Sequence, residues 1–316
     1  MNILITGGAG FIGSHLACSC LQDGHRIRVL DDFSTGMAEN LQEIADGIEL
    51  VEGDICDIEL VRKALAGVDA VLHQGAIPSV PRSFQEPHLF NQVNVTGSLQ
   101  LILESVEAGV GRIVMASSSS VYGDTEEFPK VETDTPMPLS PYAVGKLAAE
   151  AYGEVFSRIA DIEVVSLRYF NVFGTRQPQD SQYAAVIPSF ITSALKEESL
   201  RLEGDGEQTR DFTYVEDVVR ANLLALEIPK AAGEVFNISG NCRVSLNELI
   251  ELLKELMPDR EMTISQQPPR KGDIRHSWAD ISKAQEILDY QPKIDLEEGL
   301  RRTISHLENE LALGRI

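Results

Sequence analysis

Short apolar runs, each closing on Gly, Asp or Ser, alternate with helix-spaced segments through the first half of the chain. "NILITG", "RIRVLDD", "IELVEGD", "AVLHQGA" and "RIVMASS" are rich in Val, Ile and Leu, the pattern of strands buried on both faces. Between them, "GSHLACSCLQDG", "ELVRKALAG" and "NVTGSLQLILESVEAG" carry helical spacing with glycine stops. A sixth strand is predicted through "EVVSLRYFNVFG". Alternating β and α elements of this kind predict an α/β fold, a doubly wound parallel sheet, over residues 1–175.

Beyond residue 175 the rhythm loosens. "TRQPQDSQ" and "QQPPRKGD" read as polar loops, and the elements around them are less regular. Residues 176–316 are expected to form mostly a smaller mixed α/β substrate domain, with the chain crossing back to the sheet near 234–240, at "EVFNIS". No internal repeat is visible.

Charge narrows the partners. With 27 basic and 49 acidic residues, the net charge is −22. Nucleic acid and anionic lipid both reward a basic surface, so neither is expected as the main partner. A small phosphorylated ligand needs only a local cluster of donors and stays open. No apolar run is long enough to span a bilayer. "MNILITGGAGFIG" lacks the basic segment and cleavage site of a signal peptide, so a cytoplasmic location is the expectation. Cys18 and Cys20 point different ways on a helix, and Cys56 and Cys242 have no CxxC partner. Buried free thiols are therefore expected. The histidines are scattered, and no metal is expected.

"TGGAGFIG" follows the first strand and opens a helix, with Gly7, Gly10 and Gly13 at G-x-x-G-x-x-G spacing. Glycine there permits a tight turn, close approach of backbone to a pyrophosphate, and close helix–strand contact. The backbone donors of the helix start, at Phe11 and Ile12, would face the phosphates. A Rossmann-type dinucleotide site is the functional reading; a βα turn that binds nothing is the alternative. Asp31, closing the second strand in "VLDD" with Asp32, can accept from the adenosine ribose hydroxyls and would repel a 2′-phosphate, favouring NAD over NADP. Asp54 and Ile55, in "EGDI", are placed to contact adenine.

In "LSPYAVGKLAAE", Tyr142 precedes Lys146 by one helical turn. A nearby ammonium favours phenolate, so Lys146 is expected to lower the pKa of Tyr142. The activated phenol could then take a proton from a hydroxyl as hydride leaves the same carbon. "MASSSSVYGD" ends the preceding strand at the carboxyl edge of the sheet, where ligands bind.

With these three motifs in hand, the chain resembles the extended short-chain dehydrogenase/reductases. "LRYFNVFG", "GDGEQTRDFTYVEDV", "PRKGDIRHSWADISKA" and "HQGAIPSVPRSFQEP" are similar to nucleotide-sugar 4-epimerases, especially the branch acting on UDP-N-acetylglucosamine and UDP-glucose. The resemblance implies Tyr142 as acid/base, Lys146 as its activator and a nicotinamide-ribose contact, and Ser118 as the catalytic serine. It also implies that Asn94 and the strand end from His73 to Ala76, with Gly75, border the dinucleotide. Asn171, Arg210, Arg270 and Asp273 match positions holding the uridine diphosphate of a UDP-sugar substrate. Arg210 could instead pair with Asp211, and Arg270 could be a solvated loop charge.

Two departures bear on substrate. Pro78 stands where related galactose epimerases often carry lysine, and Ser277 stands where some relatives carry a bulky tyrosine. A small side chain there leaves room for both UDP-N-acetylglucosamine and UDP-glucose. Related dehydratases carry an acidic pair where this chain has Ser119 and Ser120. UDP-glucuronate remains a rival substrate, for epimerisation or decarboxylation, since Arg82 or Arg176 could meet its carboxylate. A catalytically silent NAD-binding regulator is the rival outside enzymes. Relatives commonly form homodimers through helices at about 90–108 and 142–157.

Overall fold

A computed structural model of the chain describes residues 1–179, 185–269 and 274–316. Six strands arise in the first half: β1 (Asn2–Thr6), β2 (Arg26–Asp31), β3 (Ile48–Glu52), β4 (Ala70–His73), β5 (Arg112–Ser118) and β6 (Glu163–Tyr169). The helices between them are α1 (Phe11–Gln22), α2 (Ile58–Leu65), α3 (Val80–Gln85), α4 (Pro87–Asn91), α5 (Ser98–Ala108) and α6 (Pro141–Ile159). Short strands β7 (Val172–Phe173), β8 (Leu200–Glu203), β9 (Thr209–Asp211) and β10 (Thr213–Tyr214) follow, with α7 (Val186–Leu195) and α8 (Val215–Glu227). The remainder comprises β11 (Val235–Ile238), β12 (Arg243–Ser245), β13 (Ile264–Gln267), α9 (Leu246–Leu256), α10 (Ser282–Leu288) and α11 (Leu296–Ala312).

The main sheet is seven-stranded and parallel, in the order β11-β6-β5-β4-β1-β2-β3. Successive side chains of a strand face opposite sides, and both sides are used. Ile3, Ile5, Val29, Leu72 and Val114 pack on one face beneath Leu16 and Ala17 of α1 and Val218 and Ala221 of α8. Leu4, Leu30, Val71, Ile113 and Met115 pack on the other against α2, α5 and α6, through residues such as Val61, Leu101 and Ala149. This double burial explains the unbroken apolar runs. β3 departs from the expectation of burial: it is the sheet edge, and Leu50 is exposed.

A second core gathers α7, α9 and α11 around Phe190, Leu249, Leu253 and Leu300. Two small two-stranded sheets, β8 with β13 and β9 with β12, belong to this half. β11, α8 and α10, although late in the chain, join the main sheet and its first face. The sixth predicted strand is shorter than "EVVSLRYFNVFG". It ends at Tyr169, and Asn171, at φ +30°, turns the chain so that Val172–Phe173 pairs with β10 instead. The cysteines also differ from expectation. All four are free, but Cys20 alone is buried, while Cys18, Cys56 and Cys242 are half-buried.

Candidate active site

The carboxyl end of β1 leads directly into the glycine turn. Gly7, at φ +66°, gives its N–H to Leu30, and Gly10 closes the turn onto the Gly7 carbonyl at 3.1 Å. A Cβ on Gly7 would stand 2.7 Å from the Gly75 nitrogen, and one on Gly13 would stand 2.1 Å from the Gly7 oxygen. These two positions admit no side chain. The start of α1 has no side-chain cap and no acidic residue in its first turn. Its backbone donors and positive dipole end are thus kept for an anion.

Asp31 serves two backbone partners. One carboxylate oxygen accepts from Ala9 in the glycine turn at 2.8 Å, and the other from Phe33 at 2.9 Å. Burial holds this carboxyl above the usual range, against the pull of those bonds. Asp32 turns back to cap Ser34, and Asp54 caps Cys56. A cleft of about 540 Å³ runs over this surface. Gly7, Gly10, Phe11, Ile12, Gly13, Asp31, Asp32, Asp54, Ile55, Gly75, Ala76, Tyr142 and Lys146 all line it.

Ser140 caps α6, accepting from Ala143 at 3.1 Å, and Pro141 occupies the first helical turn. This start puts Tyr142 on the cleft wall with Lys146 one turn further on. The Lys146 ammonium lies 6.0 Å from the Tyr142 ring centre and donates to the Ala116 carbonyl at 2.8 Å. Burial pushes Lys146 down to about 8, opposed by the negative charge of Glu150. The expected lowering of the Tyr142 pKa is not found. Enclosure by the protein pushes the phenol up, against the pull of the neighbouring Ser118 hydroxyl. The physical reason is that desolvation penalises the charged phenolate more than the protein groups around it favour it. Ser118 also accepts from Ser120, at 2.9 Å from its hydroxyl and 3.2 Å from its amide. Ser117, rather than Ser118, lines the cleft.

Other predicted residues sit elsewhere. Asn94 is buried in a single π-helical turn, Gln92–Gly97, and its amide grips both backbone groups of Ile77, at 2.9 and 3.2 Å. It thereby holds the loop that presents Gly75 and Ala76 to the cleft. Asn171, Arg210 and Ser277 gather at β9 instead of the cleft wall. Asn171 donates to the Asp211 carbonyl at 3.2 Å, Arg210 to the Thr209 carbonyl at 2.9 Å, and the Ser277 amide to Thr209 at 3.1 Å. The Asp211 carboxylate is buried and takes the Ser239 hydroxyl and the amides of Cys242 and Ala279. Arg270 and Asp273 lie outside the described residues.

Gln74, inside the bordering segment expected from His73 to Ala76, lines the cleft, and so does Tyr169, which sequence reasoning missed. Tyr169 is held by Asn222, whose amide donates to the phenol oxygen at 2.8 Å, and Gln74 approaches both. Tyr169 closes β6 at the carboxyl edge of the sheet, and that position was the available signal.

A glycine turn, a strand-end aspartate and a Ser/Tyr/Lys group along one cleft define a dinucleotide-binding α/β protein with a reactive site at its sheet edge. The sequence model of the NAD dependent epimerase/dehydratase family matches residues 3–239, and the chain belongs to that family. The structure is similar to UDP-glucose 4-epimerase of Thermotoga maritima with UDP-glucose: 40% identity, 98% of this chain and 100% of that one, TM-score 0.93. It is similar to UDP-N-acetylglucosamine 4-epimerase of Methanobrevibacter ruminantium M1 in complex with UDP-N-acetylmuramic acid: 36% identity, 98% of both chains, TM-score 0.93. It is also similar to UDP-glucuronic acid 4-epimerase of Bacillus cereus in complex with UDP-glucuronic acid and NAD: 34% identity, 98% and 99% coverage, TM-score 0.90. NAD is the cofactor of this family, and the cleft suits it. The side-chain-free turn at Gly7 and Gly13, the uncapped start of α1, and Asp31 beyond them match pyrophosphate and ribose in sequence along one groove.

Proposed function

We propose that this protein is a UDP-sugar 4-epimerase, inverting C4 of UDP-glucose/UDP-galactose, of UDP-N-acetylglucosamine/UDP-N-acetylgalactosamine, or of both pairs. One observation carries the reading: Tyr142 and Lys146, one helical turn apart, stand on the same cleft wall as the glycine turn. Tyr142 takes the proton of the sugar 4-hydroxyl and later returns one, with Ser118 as its hydrogen-bond partner. NAD, when bound, supplies a hydride acceptor and donor for C4 and a positive charge within the cleft. Lys146 adds its own charge from the Ala116 carbonyl, where it favours the phenolate over the phenol once the proton is shared with substrate. Gly7, Gly10, Gly13, Asp31, Asp32, Asp54, Ile55, Gly75 and Ala76 are assigned to the cofactor. Asn171, Arg210, Arg270, Asp273 and Ser277 are assigned to the UDP-sugar, and the small Ser277 side chain supports acceptance of either a 2-hydroxyl or a 2-acetamido group.

Incubation with UDP-glucose, UDP-N-acetylglucosamine and UDP-glucuronate separately, followed by NMR of the products, tests this. A C4-inverted sugar with every other group retained supports the reading, and loss of water or carbon dioxide overturns it. Action on UDP-glucuronate is the second reading. It draws on Arg82, which lines the cleft beside its own ion-pair partner Glu86 at 2.9 Å. Arg176 is a weaker candidate, since it is not on the cleft wall and reaches toward Glu43 and Cys18. A homodimer through α5 and α6 is proposed as well, on the exposed apolar Leu103, Val144, Tyr152, Val155 and Ile159.

A further inference from the structure

Directly beneath the Tyr142–Lys146 turn, α6 carries a buried acidic residue with no part in the chemistry proposed above. Glu150 follows Lys146 by four residues and therefore lies on the same helix stripe. Its side chain and that of Arg168 are each 5% exposed. The pairing is close and doubled: Arg168 Nη2 meets one carboxylate oxygen at 2.8 Å, and Nε meets the other at 3.0 Å. The Ser117 hydroxyl adds a third donor to Glu150.

The placement of those donors is specific. Ser117 and Arg168 are direct partners across the β5–β6 ladder. Together they grip one carboxylate of the overlying helix. Ser117 is the residue after Ala116, whose carbonyl holds the Lys146 ammonium, and the residue before Ser118, which meets Tyr142. Arg168 also stacks on the Tyr122 ring, its guanidinium carbon 4.7 Å from the ring centre. The Tyr122 hydroxyl is anchored to Asn237 at 2.6 Å on the next strand. The serine strand end and the tyrosine helix are thus tied together at one buried ion pair. Such a pair is weak evidence of stability, because two charges must be desolvated. Its position calls for another explanation.

We propose that Glu150 is a positioning residue for the reaction. Its carboxylate, clamped by Ser117 and Arg168, sets the register of α6 over β5 and gives the Lys146 ammonium its negative neighbour. The inference rests on the reading of Tyr142 and Lys146 given above. Lys146 faces Tyr142 and Glu150 on its own helix and the Ala116 carbonyl on β5. On β4 it faces His73, which burial keeps uncharged between Thr6 and Ser98, and on β6 the positive Arg168 lies behind Glu150. Glu150 is the one negative group in that set, and it acts to raise Lys146.

The test is the pH dependence of kcat in Glu150→Gln, which keeps the shape and removes the charge. The expected result is about a tenfold fall in kcat at pH 8 with KM changed less than about twofold. The alkaline limb should move to lower pH, since Lys146 loses its proton sooner, and activity should recover on acidification. A profile superimposable on the parent's, or one lowered equally at every pH, overturns the proposal. Should that variant fail to fold, Ser117→Ala carries the test by removing one arm of the clamp and keeping the charge. A several-fold lower kcat on an unmoved limb supports the clamp, and a parent-like kcat refutes it. Tyr142→Phe is measured alongside: if it turns over normally, the reading of the site fails irrespective of Glu150.

Discussion

The Lys146 ammonium gives its hydrogen bond to the Ala116 carbonyl, 2.8 Å away, and stands 6.0 Å from the centre of the Tyr142 ring. Burial holds the phenol's pKa above the ordinary value, against the pull of Ser118. An acid/base poised in this way depends on charge brought into the cleft. Loss of the hydroxyl should be far more damaging to kcat than to binding. Tyr142→Phe is expected to lower kcat by about 10²- to 10⁴-fold while NAD, followed by its absorbance in the purified protein, stays bound. Turnover within a few fold of the parent would remove Tyr142 from the mechanism.

Gly13 and Gly24 separate two reasons for glycine. A Cβ at Gly13 would lie 2.1 Å from the Gly7 oxygen and 2.8 Å from the Gly8 Cα, both backbone atoms that cannot move without opening the turn. At Gly24 nothing lies within 4 Å, and only the backbone, at φ +81°, opposes a side chain. Gly13→Ala should cost about 2–4 kcal/mol and at least about tenfold in NAD affinity, whereas Gly24→Ala should cost about 1 kcal/mol and leave NAD untouched. Urea unfolding and NAD titration distinguish them, and equal losses in both would contradict the steric argument.

Asp31 supports the glycine turn as well as facing the cleft. Asp31→Ala is expected to weaken NAD binding by about 10- to 100-fold and to destabilise the fold by about 1–3 kcal/mol, since the buried Ala9 amide loses its acceptor. Both effects are read from calorimetric titration and urea midpoints. A loss of affinity with no change in midpoint would show that the bond to Ala9 contributes nothing.

Two imidazoles, His73 buried and His15 half-buried, make the fold acid-sensitive. His73 is pushed down to about 3, chiefly by burial and also by Lys146. His15 is pushed down to about 4, again chiefly by burial, although its bond with the Thr175 carbonyl, at 3.0 Å, favours the charged form. In the unfolded chain both titrate near 6.5. Below that pH the unfolded state binds more protons, so their contribution is complete above pH 6.5 and declines as pH falls toward 4. At about 1.4 kcal/mol per withheld proton per pH unit, the loss amounts to a few kcal/mol. Urea unfolding across pH 7 to 4 measures the slope, and His15→Gln should reduce it by about one proton. A slope unaltered by that substitution would place the sensitivity elsewhere.

Local chemistry made part of this molecule readable in advance. The glycine turn, the strand-end Asp31 and the Tyr142–Lys146 spacing each depend on residues close in sequence, and backbone geometry ties such spacings to shape. The double-sided burial of the strands was legible for the same reason, because an unbroken apolar run suits a central parallel strand. The exposed edge of β3 was not, because a strand's place in a sheet is settled by its neighbours and not by its own pattern.

The direction of the Tyr142 shift, the hold of Asn94 on Ile77, and the presence of Tyr169 in the cleft all required distant segments to meet. So did the grip of Ser117 and Arg168 on Glu150, which joins residues from two strands and a helix. Desolvation and hydrogen-bond competition depend on every group that surrounds a side chain. Those groups come from 17 to 148 residues away in the chain, as with Asn94 and Ile77 or Gln74 and Asn222. Spacing along the sequence carries the local geometry of a site, and packing in three dimensions supplies the environment that sets its chemistry.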